Sequence, residues 1–537
     1  MVRVPRALVV GLDAYDPDVA RDLMRDGELP VLAQLLRHGS AARTIAPVGL
    51  YEGALWPTMF TGRSAEKHGF FCHETLLPGT YEHRDTSPVE VDGTPFWQKV
   101  SDAGLRVGII DVPHSVVEPL NGIYLSEWGN HDRHLGFSTW PTELADDVRS
   151  TFGAHPVAGL EDGVARNFAP CDYLHRTSSP QRTHDEARSL YDALLVAVER
   201  KKELTLRFLD SDDWDLFVTV FGEAHCTGHQ FWFLHDPDDP SHDPALRAEL
   251  GDPVIEIYRR LDAALGEVLD RADSQTAVFV FLSHGMGPMN SGVFLIDAVL
   301  HRLAHGGPAN GAAPPRALLA LWQRLPVRAR RRLGPVMARS IRRKLRKRPE
   351  LLAENQEVFD RCEGCSSPRL AGADGQPWFA VPNNTVCAGL RINLVGREPL
   401  GVIEPRAFDD TCKELTNDLL DVIRVESGHP LVSKVERMED HYERAAVDPF
   451  PDLFATWDRR SPTHTVWSPK TGILHEPYDH WRSGDHFPSG LLIAKGPGIP
   501  TATLHDVAVA DIAPTICELL GVPLEGVDGR PIPELGT

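Results

Sequence analysis

The sequence predicts an α/β fold with a mostly parallel sheet and helices on both faces. Short apolar runs bounded by turn residues alternate with segments of helical spacing along much of the chain. This alternation is typical of parallel sheets, because their strands are joined by crossover helices. The 537 residues are 42% hydrophobic and 24% charged, which is ordinary for a globular protein.

Five apolar runs are predicted to be buried strands: ALVVGLDA (7–14), LRVGIIDVP (105–113), WDLFVTVFG (214–222), TAVFVFLSHG (276–285) and GLLIAKGPGI (490–499). The segment after the first run, PDVARDLMRDGELPVLAQLLRHG, has helical spacing. Asp13, Glu223, His225 and His284 lie at or just after strand ends. Because the carboxyl ends of parallel strands share one edge of the sheet, we expect these side chains to gather there.

Two segments depart from this alternation. We expect the core to comprise residues 1–300 and 377–537, with a cap-like segment at about 115–205 and a basic helical insertion at 301–376. Arginine and lysine are dense at 328–348, which predicts a solvated helix or a weak contact with an acidic surface such as anionic lipid.

Composition excludes several classes of protein. The net charge of −21 argues against nucleic acid as a partner. No apolar run reaches the roughly 18 residues of a membrane span, so no transmembrane segment is expected. The N-terminal apolar run is too short for a signal peptide, which predicts a cytoplasmic protein. Eight cysteines spread over this length do not indicate a disulfide framework.

Seven sequence blocks together resemble the alkaline phosphatase superfamily. They are most similar to its type I phosphodiesterase/nucleotide pyrophosphatase branch and to predicted phosphohydrolase/phosphomutase proteins. The blocks are GLDA, TGRSAEKHGFF, GHQFW, SHGMGP, GLRINLVGREPLGV (389–402), DHFPSGLLIAKGPGI and DIAPTICELLGVPLEGVDGRPI (511–532). Each block is weak alone, but all seven stand in family order. The resemblance implies an alkaline-phosphatase-like core and a hydrolase or transferase that acts on phosphate-type esters.

The resemblance also implies a site for two divalent ions, which clamp the attacking and leaving oxygens of the phosphoryl group. The family's ligand positions fall here on Asp13, His225, His229, Ser283, His284 and His486. Three imidazoles, His225, His229 and His486, form a set that suits zinc. Asp13, Glu52 and His284 are predicted to hold a second ion. Zinc is the expected metal, with manganese, iron and other ions left open.

Three positions depart from the family pattern. The nucleophile usually lies nine residues before the threonine that is Thr61 here, and that position is Glu52. His225 and Ser283 stand where the family usually has aspartates. Trp56 keeps the register of the nucleophile loop, which argues against an alignment slip. Every altered position except Ser283 keeps a side chain that can bind a metal, so decay of the site is not the favoured interpretation.

A carboxylate at position 52 requires a changed mechanism. We expect a metal-activated water to attack phosphorus, with Glu52 as a metal ligand or general base. A covalent route through Glu52 stays open, as does a shifted loop that offers the hydroxyl of Tyr51 or Thr58.

The predicted substrate is a small anionic molecule. Arg391 and Arg397 are interpreted as clamps for its anionic group or, equally, as supports of a small subdomain. His131 is a further candidate for substrate binding. Glu223 and Asp485 are interpreted as reserve ligands or as carboxylates that orient imidazoles.

Two other functional classes stay open. One is a non-hydrolytic metalloenzyme of specialised metabolism, a lyase or an oxidative enzyme on the same fold. The other is a noncatalytic, metal-free binding protein. The oligomeric state is not predicted.

Overall fold

The structure is a computed structural model, and the residues it describes are 6–130, 133–157, 183–306, 316–353, 375–443, 448–476 and 482–535. In chain order the described strands are β1 (Arg6–Leu12), β2 (Ser40–Ile45), β3 (Glu74–Leu76), β4 (His83–Asp85), β5 (Val107–Ile110), β6 (Gly122–Ser126), β7 (Ser138–Trp140), β8 (Leu216–Phe221), β9 (Thr276–Leu282), β10 (Gly285–Pro288), β11 (Trp378–Val381), β12 (Cys387–Ile392), β13 (Ile423–Arg424), β14 (Val432–Arg437), β15 (Leu453–Trp457), β16 (Thr465–Ser468), β17 (Gly472–His475), β18 (Gly484–Phe487), β19 (Ser489–Lys495) and β20 (Val507–Ala508).

The described α-helices are α1 (Pro17–Arg25), α2 (Pro30–His38), α3 (Tyr51–Thr61), α4 (Ala65–His68), α5 (Phe96–Asp102), α6 (Leu144–Phe152), α7 (His184–Leu209), α8 (Glu223–His235), α9 (Pro244–Leu250), α10 (Pro253–Leu269), α11 (Ile296–His305), α12 (Arg316–Arg324), α13 (Val327–Leu345), α14 (Glu350–Ala353), α15 (Phe408–Leu420) and α16 (Ile512–Leu519). The segment with helical spacing after the first strand forms two helices, because Pro30 begins α2 after a turn.

Nine of the described strands form one sheet, in the order β20-β2-β19-β9-β1-β8-β5-β6-β7. At its centre β1 is parallel to β8 on one side and to β9 on the other, so Val9 lies opposite Val218 and Phe279. All five predicted strands belong to this sheet, which confirms the predicted mostly parallel α/β fold. The fifth, β19, runs antiparallel to both neighbours, β9 and β2.

Helices pack on both faces of the sheet, as predicted. Along β1, Ala7 and Val9 belong to one buried apolar cluster, whereas Leu8, Val10 and Leu12 belong to a second cluster on the other face. Alternate side chains of a strand point to opposite faces, so the two clusters are the two halves of the core. A strand that is buried on both faces has apolar residues at successive positions, which explains the continuous apolar runs in the sequence.

Strands outside the main sheet form smaller sheets, including one in the order β11-β12-β15-β14. This small sheet packs against α11 and α15 through a third apolar cluster. In the basic segment, Met337, Ala338 and Ile341 of α13 are buried with Ile423 and Trp467. β6 and β7, from the segment predicted to be a cap, extend the main sheet. The predicted domain boundaries stay a prediction.

Among the described residues, no helix has the length and apolar character needed to cross a lipid bilayer. The expected cytoplasmic location stays a prediction.

Candidate metal centre

Polar side chains lie at the carboxyl ends of three neighbouring strands of the main sheet. Asp13 follows β1, His225 lies in the first turn of α8 directly after β8, and His284 follows β9. Since β8, β1 and β9 are adjacent and parallel, their carboxyl ends bring residues more than 200 positions apart into contact. All three side chains are buried.

His486 comes from β18, which pairs with β10 just after His284. Close packing of α8 on β18 brings this histidine to the imidazoles of α8. A Cβ atom at Gly484 would lie 2.0 Å from the Gly228 carbonyl oxygen, so a larger residue would separate the two elements. The glycines in GHQFW and SGDHF therefore allow His229 and His486 to meet.

The imidazoles form a compact buried group. The ring centroids of His225, His229 and His486 lie 4.6 to 4.8 Å from one another, and His284 lies 4.4 Å from His486. Two overlapping sets of side chains have potential ligand atoms within 4.8 Å of one another: His225, His229 and His486, and Asp13, His225 and His284. We call the five residues of these two sets the metal pocket.

Hydrogen bonds fix which nitrogen of each imidazole carries the proton. His229 Nδ1 lies 2.8 Å from the Gly484 carbonyl oxygen, and His225 Nδ1 lies 2.7 Å from Asp13 Oδ2. The Gly484 carbonyl oxygen has no proton to donate, and the low pKa of Asp13 keeps its carboxylate ionised. Both oxygens therefore accept, and each Nδ1 donates. A neutral imidazole with a proton on Nδ1 carries its lone pair on Nε2.

A second chain of hydrogen bonds fixes His284 and His486. Ser283 Oγ donates to Asp13 Oδ1 at 2.9 Å and accepts from the Ala14 amide. His284 Nδ1, 2.9 Å from Ser283 Oγ, must therefore donate to it, and His284 Nε2 shares a hydrogen bond of 2.8 Å with His486 Nδ1. Ser283, where the family usually has aspartate, connects Asp13 to this imidazole pair.

Burial and neighbouring charges set the ionisation of the pocket. Burial opposes the charge on Asp13, but the His225 imidazole, its hydrogen bond, His284 and Trp56 outweigh burial and hold the pKa of Asp13 well below its usual value. Burial and the surrounding imidazoles of His284, His229 and His225 lower the pKa of His486 well below 6.5. The pocket therefore contains an ionised carboxylate beside a neutral His486.

Glu52 lies in the first turn of α3 and lines the same cleft as Asp13 and His284. Its Oε1 accepts from the Thr385 amide at 3.1 Å, while Oε2 is buried with no hydrogen-bond partner among the described residues. Burial and the nearby Asp485 carboxylate raise the pKa of Glu52 to about 7. The structure groups Asp13 and His284 with His225, whereas Glu52 lies beside Thr385.

The cleft has several polar lining residues that the sequence did not single out. Thr385, whose hydroxyl donates to Asp485 at 2.5 Å, and the buried Arg482 line it. Asp485, interpreted as a reserve ligand, contacts Thr385 and Arg482. Arg482 lies within four residues of His486, a proximity that could have drawn attention to it. Thr385 follows a strand with no such signal.

The two arginines predicted to clamp the substrate lie in the small sheet region. Arg397 pairs with Asp452 through two contacts of 2.8 and 2.7 Å, and Arg391 pairs with Glu398 at 2.7 Å. Neither arginine lines the cleft, and their contacts fit the alternative role of subdomain support. His131 lies outside the described residues. Glu223 is buried beside His155, 3.3 Å away.

Comparison with known proteins assigns the sequence to a family. The sequence profile of the type I phosphodiesterase / nucleotide pyrophosphatase family matches residues 7–486. The chain belongs to this family. Its members are phosphoric ester hydrolases, so the predicted resemblance and the predicted enzyme class are confirmed. A comparison with curated protein sequences gives no match.

Several solved structures are similar to this chain over nearly its whole length. Murine and human ectonucleotide pyrophosphatase / phosphodiesterase 5 are each 12% identical, with a TM-score of 0.47, covering 98% of this chain and 97% of theirs. Phosphonoacetate hydrolase from Sinorhizobium meliloti 1021, in complex with phosphonoformate, is 14% identical with a TM-score of 0.48. That match covers 97% of this chain and 96% of the other.

The chemistry of the metal pocket fits a divalent ion. Three buried imidazoles, His225, His229 and His486, have potential ligand atoms within 4.8 Å of one another, and Asp13 and Gly484 orient two of them. A carboxylate or carbonyl that accepts from the second ring nitrogen is the usual support of a metal-binding histidine. These residues fit zinc or a similar transition ion by their ligand type.

Proposed function

We propose that this chain is a metal-dependent phosphate ester hydrolase in which water, rather than a side-chain hydroxyl, attacks phosphorus. The observation that carries the proposal is the grouping of His225, His229 and His486, whose potential ligand atoms lie within 4.8 Å of one another, beside a cleft that Glu52 lines. A divalent ion bound there would make a coordinated water more acidic and neutralise charge on the phosphoryl oxygens.

In this proposal His225, His229 and His486 hold the principal ion. Asp13 orients His225 by accepting from Nδ1, and its negative charge favours a cation in the pocket. A second ion at Asp13, His225 and His284 would share His225 with the first and displace the hydrogen bond between His284 and His486. We therefore propose one tightly held ion, with zinc as the first choice and manganese or iron as alternatives.

Glu52 acts as the general base. Its Oε1 is held by the Thr385 amide, and its buried Oε2 is available to receive a proton. As the water oxygen forms its bond to phosphorus, Glu52 Oε2 takes the water proton, and the bond from phosphorus to the leaving oxygen breaks. The glutamate at the usual nucleophile position would then serve the same reaction by a different route.

The experiment compares Glu52→Gln with Thr385→Val in zinc-loaded protein on a panel of phosphomonoesters and phosphodiesters. Glutamine keeps the shape of the side chain but cannot accept the proton, so turnover should fall about 100- to 10,000-fold. Thr385 carries the hydroxyl among the described residues that line the cleft, and its valine variant should retain turnover within about tenfold. Full turnover in Glu52→Gln would contradict the base role. A phosphorylated Thr385, together with loss of turnover in Thr385→Val, would replace the water route with a covalent one.

A further inference from the structure

The basic segment, which the proposed hydrolase function does not use, has an unusual distribution of charge. Residues 324–348 contain twelve arginines and lysines and no aspartate or glutamate, in a chain whose net charge is −21. Most of this segment forms the helix α13. It is therefore a strongly basic region of an acidic protein.

One face of α13 is fixed to the rest of the protein. Gly334, Met337, Ala338 and Ile341 are buried, and they pack beside apolar side chains of β13 and β16. A Cβ atom at Gly334 would lie 2.0 Å from the Gly428 carbonyl oxygen, so the glycine allows close packing of the helix on this loop. The other face of α13 is thereby held toward solvent.

The outward face of α13 carries a row of exposed arginines. They follow one another at spacings of four, seven, four and three residues, which places them on one side of a helix, away from Met337 and Ile341. The last of them, Arg346, keeps helical backbone angles, φ −61° and ψ −27°. We call this row the basic stripe, and its members are Arg328, Arg332, Arg339, Arg343 and Arg346.

The basic stripe has no counter-charge among the described residues. Other arginines of α13 are engaged, since Arg330 pairs with Asp421, and Arg331 and Arg342 donate to backbone carbonyl oxygens. In contrast, no side chain of the stripe forms an ion pair with a residue that the structure describes. Like charges three or four residues apart on a helix repel one another. An anionic surface laid against the stripe would relieve that repulsion.

The shape and side chains of this face favour a lipid surface. The nineteen residues of α13 form a convex rod about 28 Å long, at a rise of about 1.5 Å per residue, which suits contact with a plane. Val336, 49% exposed, lies among the arginines and suits the boundary between headgroups and acyl chains. α13 contains no aromatic residue, whereas sites for single-stranded nucleic acid stack bases on aromatic rings.

We propose that the basic stripe binds the surface of a bilayer that contains anionic phospholipid. Its guanidinium groups contact headgroup phosphates, which they can bind through two hydrogen bonds each. Because charge and a single apolar side chain supply the binding, the association is peripheral and reversible. The proposal is independent of the metal pocket and of the proposed hydrolase function.

The test measures sedimentation of the full chain with lipid vesicles. Vesicles of phosphatidylcholine alone are compared with vesicles in which about a third of the lipid is phosphatidylserine. Each basic residue near an anionic surface strengthens binding about fivefold, so Arg332→Gln, Arg339→Gln and Arg343→Gln combined should weaken binding to the anionic vesicles about 100-fold. Binding of the wild-type protein should fall steeply as the salt concentration rises.

Two further variants are matched controls. Arg37, Arg43 and Arg406 are also exposed and form no ion pair within the described part of the chain. Their combined change to glutamine removes the same charge elsewhere and should keep binding within about threefold of wild type. Lysine in place of arginine at the three altered stripe positions retains the charge and should also keep binding within about threefold.

The outcomes separate the stripe from a general effect of charge. Equal binding of the wild-type protein to both kinds of vesicle, or equal weakening in the stripe and control variants, would overturn the proposal. Stripe-dependent binding of a single-stranded oligonucleotide, with no binding to anionic vesicles, would overturn it in favour of nucleic acid. Circular dichroism checks folding. If the triple variant does not fold, Arg339→Gln alone decides, with an expected weakening of about fivefold.

Discussion

The metal pocket and the arginine pairs of the small sheet are both buried clusters of charged or ionisable side chains, yet they are built on opposite principles. In the arginine pairs, Arg391 and Arg397 meet Glu398 and Asp452, and Asp448 also lies 3.5 Å from Arg391, so two guanidinium groups face three carboxylates. In the metal pocket, four imidazoles surround the single carboxylate of Asp13. In one cluster opposite charges pair with one another, whereas the other gathers several potential metal ligands near one carboxylate.

This difference is the one that we expect between a structural cluster and a metal-binding one. A buried ion pair is tolerated when its desolvation is repaid by hydrogen bonds, as Arg397 and Asp452 achieve with two contacts. In the metal pocket, the potential ligand atoms of each set lie within 4.8 Å of one another, as ligands that share one ion must. Imidazole and carboxylate ligands suit a cation, so the metal pocket is the candidate binding site, whereas the arginine pairs need no ligand to account for their charges.

The largest expected effect is the loss of metal from the metal pocket. His229→Ala removes one of three imidazoles from the proposed principal ion. Zinc content should fall from about one ion per chain toward zero, and turnover should fall by about a thousandfold or more, because the ion supplies several kcal/mol of transition-state stabilisation. Elemental analysis and a phosphate ester assay measure both. His505→Ala, in an exposed loop, is the matched control. Full zinc content in His229→Ala would refute this ligand set.

A substitution in the arginine pairs should lower the stability of the protein but not its zinc content or turnover. Arg397→Met leaves Asp452 buried without its guanidinium partner, which should cost about 3 to 5 kcal/mol in the free energy of unfolding. Zinc content and turnover per folded molecule should stay unchanged, because Arg397 does not line the cleft. Urea denaturation measures the first quantity, and elemental analysis with the ester assay measures the others. A fall in substrate affinity at full stability would restore the clamp role predicted from the sequence.

How much the sequence could predict differs between the two clusters. Asp13, His225 and His284 could be placed together because each follows an apolar run, and strand ends of a parallel sheet share an edge. Arg391 and Arg397 allowed two interpretations, because Asp452 lies 55 residues after Arg397 and no local pattern connects them.

Other features depended on tertiary contacts that leave no trace in a local pattern. The run that forms β19 is apolar whichever way the strand points, so its antiparallel direction could not be predicted. The hydrogen bond between Glu52 and Thr385 joins residues 333 positions apart. His114 adopts a left-handed backbone angle, φ 58°, in the loop after β5. In the sequence this loop is visible only as residues that follow a predicted strand.

The smallest expected effect concerns Asp297 of α11, which packs against the small sheet. Unlike Asp452, this buried carboxylate is not paired with an arginine among the described residues. Its Oδ1 is buried and has no hydrogen-bond partner among the described residues. Burial, only partly offset by His83, raises the pKa of Asp297 from 3.8 to about 6. The folded protein therefore binds this proton more tightly than the unfolded chain does.

The sign of the pH dependence follows from that shift. The protonated Asp297 contributes stability that is fully present below the unfolded pKa of 3.8 and is lost as the pH rises through about 6. Asp297→Asn cannot ionise, so the wild-type protein should lose up to about 3 kcal/mol relative to this variant between about pH 4 and pH 8. Urea denaturation of both proteins across that range measures the difference. If the difference in the free energy of unfolding between the two proteins did not change with pH, Asp297 would have to be ionised beside a counter-charge. A buried carboxylate of this kind would then not destabilise the fold.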